Sequence, residues 1–194
     1  MNIKKLAGKA HAINVRSGFW EEKGIEGERL MLVVTELSEM IEAERSSHHG
    51  DMGKYEREYK RISDSRYSDR EKVIIKSRLF EKHVKNCIGD ELADTFIRML
   101  DYCVGFRVEI DEAGIKREAK KMNGKKMGNL GAALLELSGM IEFLHKGITK
   151  AKTAKSILAR LIWLSGQLNV PLNRHVKYKM EYNATRPRKH NKKY

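Results

Sequence analysis

Apolar residues recur at three- and four-residue spacing through most of the chain, which puts them on one side of an α-helix. Between Arg29 and Glu44 they are Leu30, Val33, Val34, Leu37, Met40 and Ile41. A longer block, Phe80 to Phe106, carries Val84, Ile88, Leu92, Phe96, Met99, Leu100, Cys103 and Val104. The style repeats over Leu130–Leu144 and Ile157–Leu168, and shorter helices are expected over Asp111–Met122 and Leu172–Tyr182. From Ser46 to Phe80 the chain is polar and charge-dense. There, Ser68-Asp69-Arg70-Glu71 matches a capping box, so a helix starts at that point, and a turn or two is expected around Tyr55–Lys60. With too few apolar side chains for a core, residues 46–80 read as an insertion lying over a bundle.

Two prolines in 194 residues, and the dominance of Lys, Glu, Leu, Met, Ala and Ile, agree with the periodicity: the expected fold class is all-α. Cys87 and Cys103 lack metal-binding spacing and fall in one expected helix, too far apart to bridge. Free thiols fit a reducing cytoplasm. Met1–Ala10 carries Lys4, Lys5 and Lys9 and no apolar stretch of the secretory kind. No apolar run approaches the roughly 20 residues of a membrane helix, so no membrane partner is expected.

The pattern also repeats. Thr35-Glu36-Leu37-Ser38-Glu39-Met40-Ile41-Glu42 reads against Leu135-Glu136-Leu137-Ser138-Gly139-Met140-Ile141-Glu142, identical at six of eight positions. Phe96–Leu100 and the short helix ending near Asn123 have a counterpart in Leu161–Leu164 and the short helix ending at Asn183, with small gaps. Two units follow, about 1–127 and 128–194, joined around Gly124, Gly128 and Gly131 and packed as a pseudo-dimer. Chance likeness of leucine-rich helices is the plain alternative.

Candidate chemistry lies in two acidic pairs. Glu36 and Glu39 stand at i, i+3 on one helix, Glu91 and Asp94 at i, i+3 on another. The second helix is apolar on nearly every other side, hence buried, and carboxylates cut into it are costly unless something neutralises them. Two facing pairs offer four hard oxygen donors suited to Mg²⁺. A solvated acidic face is the competing reading. The repeat weighs against it: Glu39 corresponds to Gly139, and Glu91–Asp94 to Ile157, Leu158, Ala159 and Arg160. A metal site that has lost its purpose turns aliphatic in this way, whereas a solvated face rarely does.

Net charge is +13, and part of it gathers in residues 186–193. A solvated tail and a phosphate-binding surface are both open. Lys179, Asn183 and Arg186 share one face at i, i+4, i+7 if their helix runs through Arg186. They would then clamp phosphate, so that acids from the first unit and cations from the second form a composite site. The matching face of the first unit, Ala119, Asn123 and Lys126, is poorer. His48-His49 is assigned no role.

The order ExxE, then ExxD on a later apolar helix, resembles the MazG-like all-α nucleoside triphosphate pyrophosphohydrolases. Ser17-Gly18-Phe19-Trp20-Glu21-Glu22 is similar to the segment before their first acidic helix, Asp90–Asp94 with Arg98 and Asp101 to their ExxD helix, and Lys179–Pro187 to their C-terminal ending. The gap between Glu39 and Glu91 is longer than the family's usual spacing, and the second unit keeps only Glu136 of the acidic set.

The resemblance implies hydrolysis of a nucleoside triphosphate to the monophosphate and pyrophosphate, serving nucleotide pool control. Mg²⁺, or Mn²⁺ in its place, would be held by Glu36, Glu39, Glu91 and Asp94. Glu39, or else Glu36, would act on the attacking water. Trp20 is a candidate to stack on the base or, alternatively, to anchor packing. Arg98 is a candidate for substrate binding or, with Asp101, for orienting the acids. Such enzymes are generally dimers with two sites, so a homo-oligomer with one live site per chain is expected. The alternatives are a helical nucleic-acid-binding protein, a pseudoenzyme whose insertion blocks the site, or a relative specialised for dUTP or dCTP.

Overall fold

The computed structural model describes residues 1–21, 25–147 and 149–191. Glu22 of the Gly-Phe-Trp segment and Lys192 and Lys193 of the basic tail lie outside them. The described residues form nine α-helices and no strand, so the chain is all-α. They are α1 (Ile3–Arg16), α2 (Glu26–Arg45), α3 (Met52–Ser63), α4 (Asp69–His83), α5 (Ile88–Gly105), α6 (Glu112–Lys121), α7 (Leu130–Lys146), α8 (Lys150–Gln167) and α9 (Leu172–Asn183). None is long and apolar enough to cross a membrane.

The long helices α2, α5, α7 and α8 make the core. α2 packs on α5 and α7 on α8, while α2 also meets α7 and α5 meets α8. The short helices cross over: α6 lies on α8, and α9 lies on α5. Each half of the chain therefore finishes its core with a helix from the other half. Val33, Leu37, Met40, Leu92, Phe96, Met99, Leu137, Ile141, Ile157, Leu161 and Leu164 are almost fully buried in one cluster.

Two elements depart from the periodicity reading. α1 was not expected, yet it packs along α5 with Ile3, Ala7, Ala10 and Ile13 inward. Its buried face is half alanine, a weak hydrophobic signal that still lets two helices approach closely. The single helix expected over 80–106 is two. The break falls at residues 84–87, where Asn86 takes a left-handed backbone (φ 62°) and donates its N–H to Asp90 Oδ2 at 2.9 Å. Asn tolerates that conformation better than most residues. The break gives α5 its own N-terminus, with Asp90 and Glu91 in the first turn, where the helix dipole favours negative charge.

The polar stretch folds as the α3–α4 hairpin, and the capping box at Ser68 and Glu71 is present. The hairpin does have a small core. Tyr55, Phe80, Val84 and Cys87 pack with Tyr178 and Tyr182 of α9. The aromatic residues are spread over three helices, so no local window revealed them.

Candidate metal and phosphate site

Three helices meet at the acids. α2 supplies Glu36, α5 supplies Asp90, Glu91, Asp94 and Arg98, and α9 supplies Lys179 and Asn183. Glu36, Glu91 and Asp94 each offer a carboxylate oxygen, and the three oxygens lie within 4.8 Å of one another. No second group of this kind occurs among the described residues. Glu36 is 4% exposed, Glu91 2%, Asp90 0% and Lys179 4%. Lys179 Nζ bridges Asp90 Oδ2 at 2.7 Å and Asp94 Oδ2 at 2.8 Å, and Arg98 Nε donates to Glu36 Oε1 at 2.6 Å.

The charges do not balance. With all four acids ionised, Glu36, Asp90, Glu91 and Asp94 would outnumber Lys179 and Arg98 by two charges, a surplus that protons or a cation must neutralise. The acids show it. Burial, then the charges of Asp90 and Asp94, push Glu91 up to about 10. Burial, then Asp94, pushes Glu36 up to about 7. Burial pushes Asp90 up to about 6 against the pull of Lys179. For Lys179, burial works against the charge, but Asp94 and Asp90 outweigh it and hold the ammonium above its ordinary range. Two buried oxygens, Asp90 Oδ1 and Asn183 Oδ1, have no hydrogen-bond partner among the described residues; each such atom costs about 1–3 kcal/mol unless something satisfies it. Hard oxygens in excess negative charge fit a divalent cation such as Mg²⁺.

Next to the acids runs a narrow cleft lined by Asn14, Phe19, Arg29, Asp94, Arg98, Asp101, Asn183 and Arg186. It admits only about 50 Å³, room for one or two waters. Three guanidinium groups reach it: Arg98 holds Glu36, Arg29 lies over Trp20 and donates to the Phe19 carbonyl, and Arg186 stands half-buried at its edge. Asp101 organises its far wall. It accepts from Asn14 Nδ2 at 2.8 Å and from Trp20 Nε1 at 3.0 Å, and pairs with His11 Nδ1 at 2.7 Å.

The sequence-expected residues divide clearly. Glu36, Glu91, Asp94, Arg98, Lys179 and Asn183 come together. Glu39 does not join the oxygen cluster. It is exposed one turn along α2, close enough for its charge to act on Glu36, because an i+3 step carries it past the helix contact with α5. α9 ends at Asn183, so the helix does not extend through Arg186; the turn at 184–186 nevertheless keeps Arg186 in the cleft. Lys179 reaches the acids directly instead of standing as a free phosphate clamp. Trp20 is committed to protein contacts: its N–H goes to Asp101, Arg29 lies 4.7 Å over its ring, and its edge fills the space above Gly105. Asp90, Arg29, Asn14 and His11 were missed. Only Asp90 had a signal, its i, i+4 spacing to Asp94, the span that one lysine bridges. In the second half, Glu136 pairs with Arg160 and Gly139 is exposed. The tail is partly engaged too, since Arg188 pairs with Glu21.

No protein-family model, curated protein or solved structure matches the chain.

Proposed function

We propose that the chain is a Mg²⁺-dependent nucleoside triphosphate pyrophosphohydrolase of the MazG-like type, a tandem duplication with one working site. The observation that carries this reading is the buried excess of carboxylates beside an arginine-lined cleft: one part suits a divalent cation, the other its phosphate ligand. The duplication rests on the sequence repeat together with the reciprocal crossing of α6 and α9 onto α8 and α5.

Glu36, Glu91 and Asp94 would hold the cation, with Asp90 and Lys179 fixing Asp94 from behind. When bound there, Mg²⁺ supplies Lewis acidity toward phosphate oxygens and makes a ligated water easier to deprotonate. Arg186, half-buried at the cleft edge, would contact the triphosphate, while Arg98 and Arg29, held on Glu36 and Trp20 behind it, would add positive potential for the charge that develops on departing pyrophosphate. The water oxygen forms a bond to the α-phosphorus, the α–β bridging P–O bond breaks, and the water's proton passes to a carboxylate. Glu39 suits that last role, being exposed and one turn from Glu36. The base must lie outside the narrow cleft.

The direct test incubates the chain with Mg²⁺ and each common ribo- and deoxyribonucleoside triphosphate and identifies the products. Monophosphate plus pyrophosphate is expected, with no turnover in EDTA. Diphosphate plus phosphate, or no turnover across the panel, contradicts the reading.

A further inference from the structure

The side of α7 turned away from the core carries an apolar stripe. Leu135 is 76% exposed and Phe143 52%, and the exposed Gly139 stands between them, four residues from each. That spacing puts the three on one side of the helix. A mid-helix glycine weakens a helix unless something must come close to it. Nothing in the chain does so: a Cβ at Gly139 would meet no atom within 4 Å. In the first half the aligned face reads Thr35, Glu39 and Ala43, so the stripe belongs to the second half alone. Beside it, between α7 and α8, runs an open groove of about 710 Å³ lined by Gly139, Met140, Phe143, Thr149, Thr153 and Ser156. Thr153 spends its hydroxyl on the Thr149 carbonyl at 3.1 Å. The matching groove of the first half is covered. Continuing the alignment, Thr153 and Ser156 correspond to Cys87 and Asp90, which lie against Gly50 and Lys179 and are 1% and 0% exposed. The second half has no counterpart of the α3–α4 hairpin, and its groove stays open.

We infer that a second copy of the chain docks on this face, the two α7 helices crossing antiparallel at Gly139. A two-fold interface requires a self-complementary surface, and this one is. Leu135 and Phe143 are equally far from Gly139, so the crossing sets Leu135 of each copy against Phe143 of the other. Leu135 stands outside the groove of its own chain and enters the groove of the second copy. Gly139 lets the two backbones approach. The charges also match. Glu142 of one copy comes opposite Glu136 of the other, which Arg160 already holds. Arg160 has no second acceptor among the described residues and has donors to spare, so it takes both carboxylates. Lys152, exposed on the same rim and without an ion-pair partner among the described residues, adds a second cation. Glu142 brings its own counter-ion, Lys146. A small polar ligand in the groove would leave Leu135 in water. The interface lies on α7 and rests on none of the phosphate chemistry.

The test is sedimentation velocity of the full chain at about 100 μM, a concentration suited to a small interface. The unaltered protein should show twice the mass of one chain. Gly139→Arg, and separately Leu135→Glu, should each return it to the mass of one chain. Because nothing in the chain lies near the Gly139 Cβ, Gly139→Arg should melt no lower than the unaltered protein at high dilution. Ile74→Arg, on the exposed apolar spot of α4, should leave the mass doubled. Residue 139 meets its own copy on the two-fold axis, so Gly139→Cys should form an intermolecular disulfide under mild oxidation and Leu135→Cys should not. Cys87 and Cys103 are buried and stay out of that reaction. A single-chain mass for the unaltered protein, a doubled mass that survives both α7 variants, or a doubled mass lost in Ile74→Arg and kept in Gly139→Arg would each overturn the inference.

Discussion

Arg160 of α8 closes an ion pair on Glu136 of α7, at the aligned place where Glu36 of α2 faces Asp94 of α5. One half of the chain sets a carboxylate against a carboxylate, and the other sets it against a guanidinium. The second arrangement needs no cation. Placing the same change in the first half should have the same effect. Asp94→Arg leaves Glu36, Asp90 and Glu91 facing Lys179, Arg98 and the new guanidinium, so the charges cancel. We expect loss of Mg²⁺ binding and of any thermal stabilisation by Mg²⁺. The unaltered chain should gain about 2.7 kcal/mol at a hundredfold excess over Kd. A melting-temperature series with and without Mg²⁺ checks this, and an Asp94→Arg protein still stabilised by Mg²⁺ contradicts it.

The raised acids give the cation-free chain an unusual pH profile. Glu91, at about 10 when folded against 4.5 unfolded, keeps its proton across pH 6.5 to 9 while the unfolded chain has lost it. A group raised on folding contributes stability that is full below the unfolded value and lost as pH rises toward the folded one. Stability in EDTA should therefore fall by about 1.4 kcal/mol per pH unit in this window. Glu36 adds to the loss up to about pH 7. His175, which burial pushes down to about 4, acts with the opposite sign but only below about 6.5, so it does not mask the slope. Bound Mg²⁺ replaces the protons. The slope should flatten, and binding at pH 7.5 should release protons, visible as a buffer-dependent heat. Urea melts that are flat in EDTA from pH 6.5 to 9 would count against the buried-acid assignment.

Lys179 is the counterweight to Asp90, which is fully buried and has one oxygen already unpartnered. Lys179→Met should cost about 3–5 kcal/mol, the range for removing one partner of a buried pair. Arg186→Ala, at the half-buried edge of the cleft, should cost under about 0.5 kcal/mol while raising KM for a triphosphate. Denaturation curves and steady-state kinetics on the two variants separate the roles; equal effects on stability would contradict the assignment.

What the sequence disclosed follows from what is local. The i, i+3 pairs on apolar helices exposed Glu36, Glu91 and Asp94 because burial of charge shows in the flanking residues. The same spacing rule swept in Glu39, since a three-residue step spans 300° and the second member can fall past the helix contact. α1 escaped because alanines carry little hydropathy, and the α4–α5 break escaped because it rests on the backbone of Asn86. Arg29, Asn14 and His11 owe their place to how α1 and α2 cross α5, which no window of sequence contains.

Gly105 shows a packing constraint at the far wall. A Cβ there would lie 2.0 Å from the edge of the Trp20 ring, which donates to Asp101 and carries Arg29 over its face. Gly105→Ala should displace the indole, destabilise the chain by about 1–3 kcal/mol and shift Trp fluorescence, with Mg²⁺ binding at Glu36, Glu91 and Asp94 retained. Unchanged emission and stability would mean the ring is not held as described.

Glu39 and Asp94 separate a proton acceptor from a cation ligand. Glu39 is exposed and outside the oxygen cluster, whereas Asp94 is inside it and tied to Lys179. If Glu39 takes the proton of the attacking water, Glu39→Gln keeps Mg²⁺ affinity within about threefold but lowers kcat by about 10²–10⁴, the usual contribution of a positioned base. KM for the triphosphate should hold, because Arg186 at the cleft edge is untouched. Asp94→Asn should lose both affinity and turnover. Titrating Mg²⁺ against each variant, then measuring turnover at saturating Mg²⁺, distinguishes the two: excess cation can partly restore Asp94→Asn and cannot restore Glu39→Gln. A Glu39→Gln chain with full kcat would rule Glu39 out as the proton acceptor.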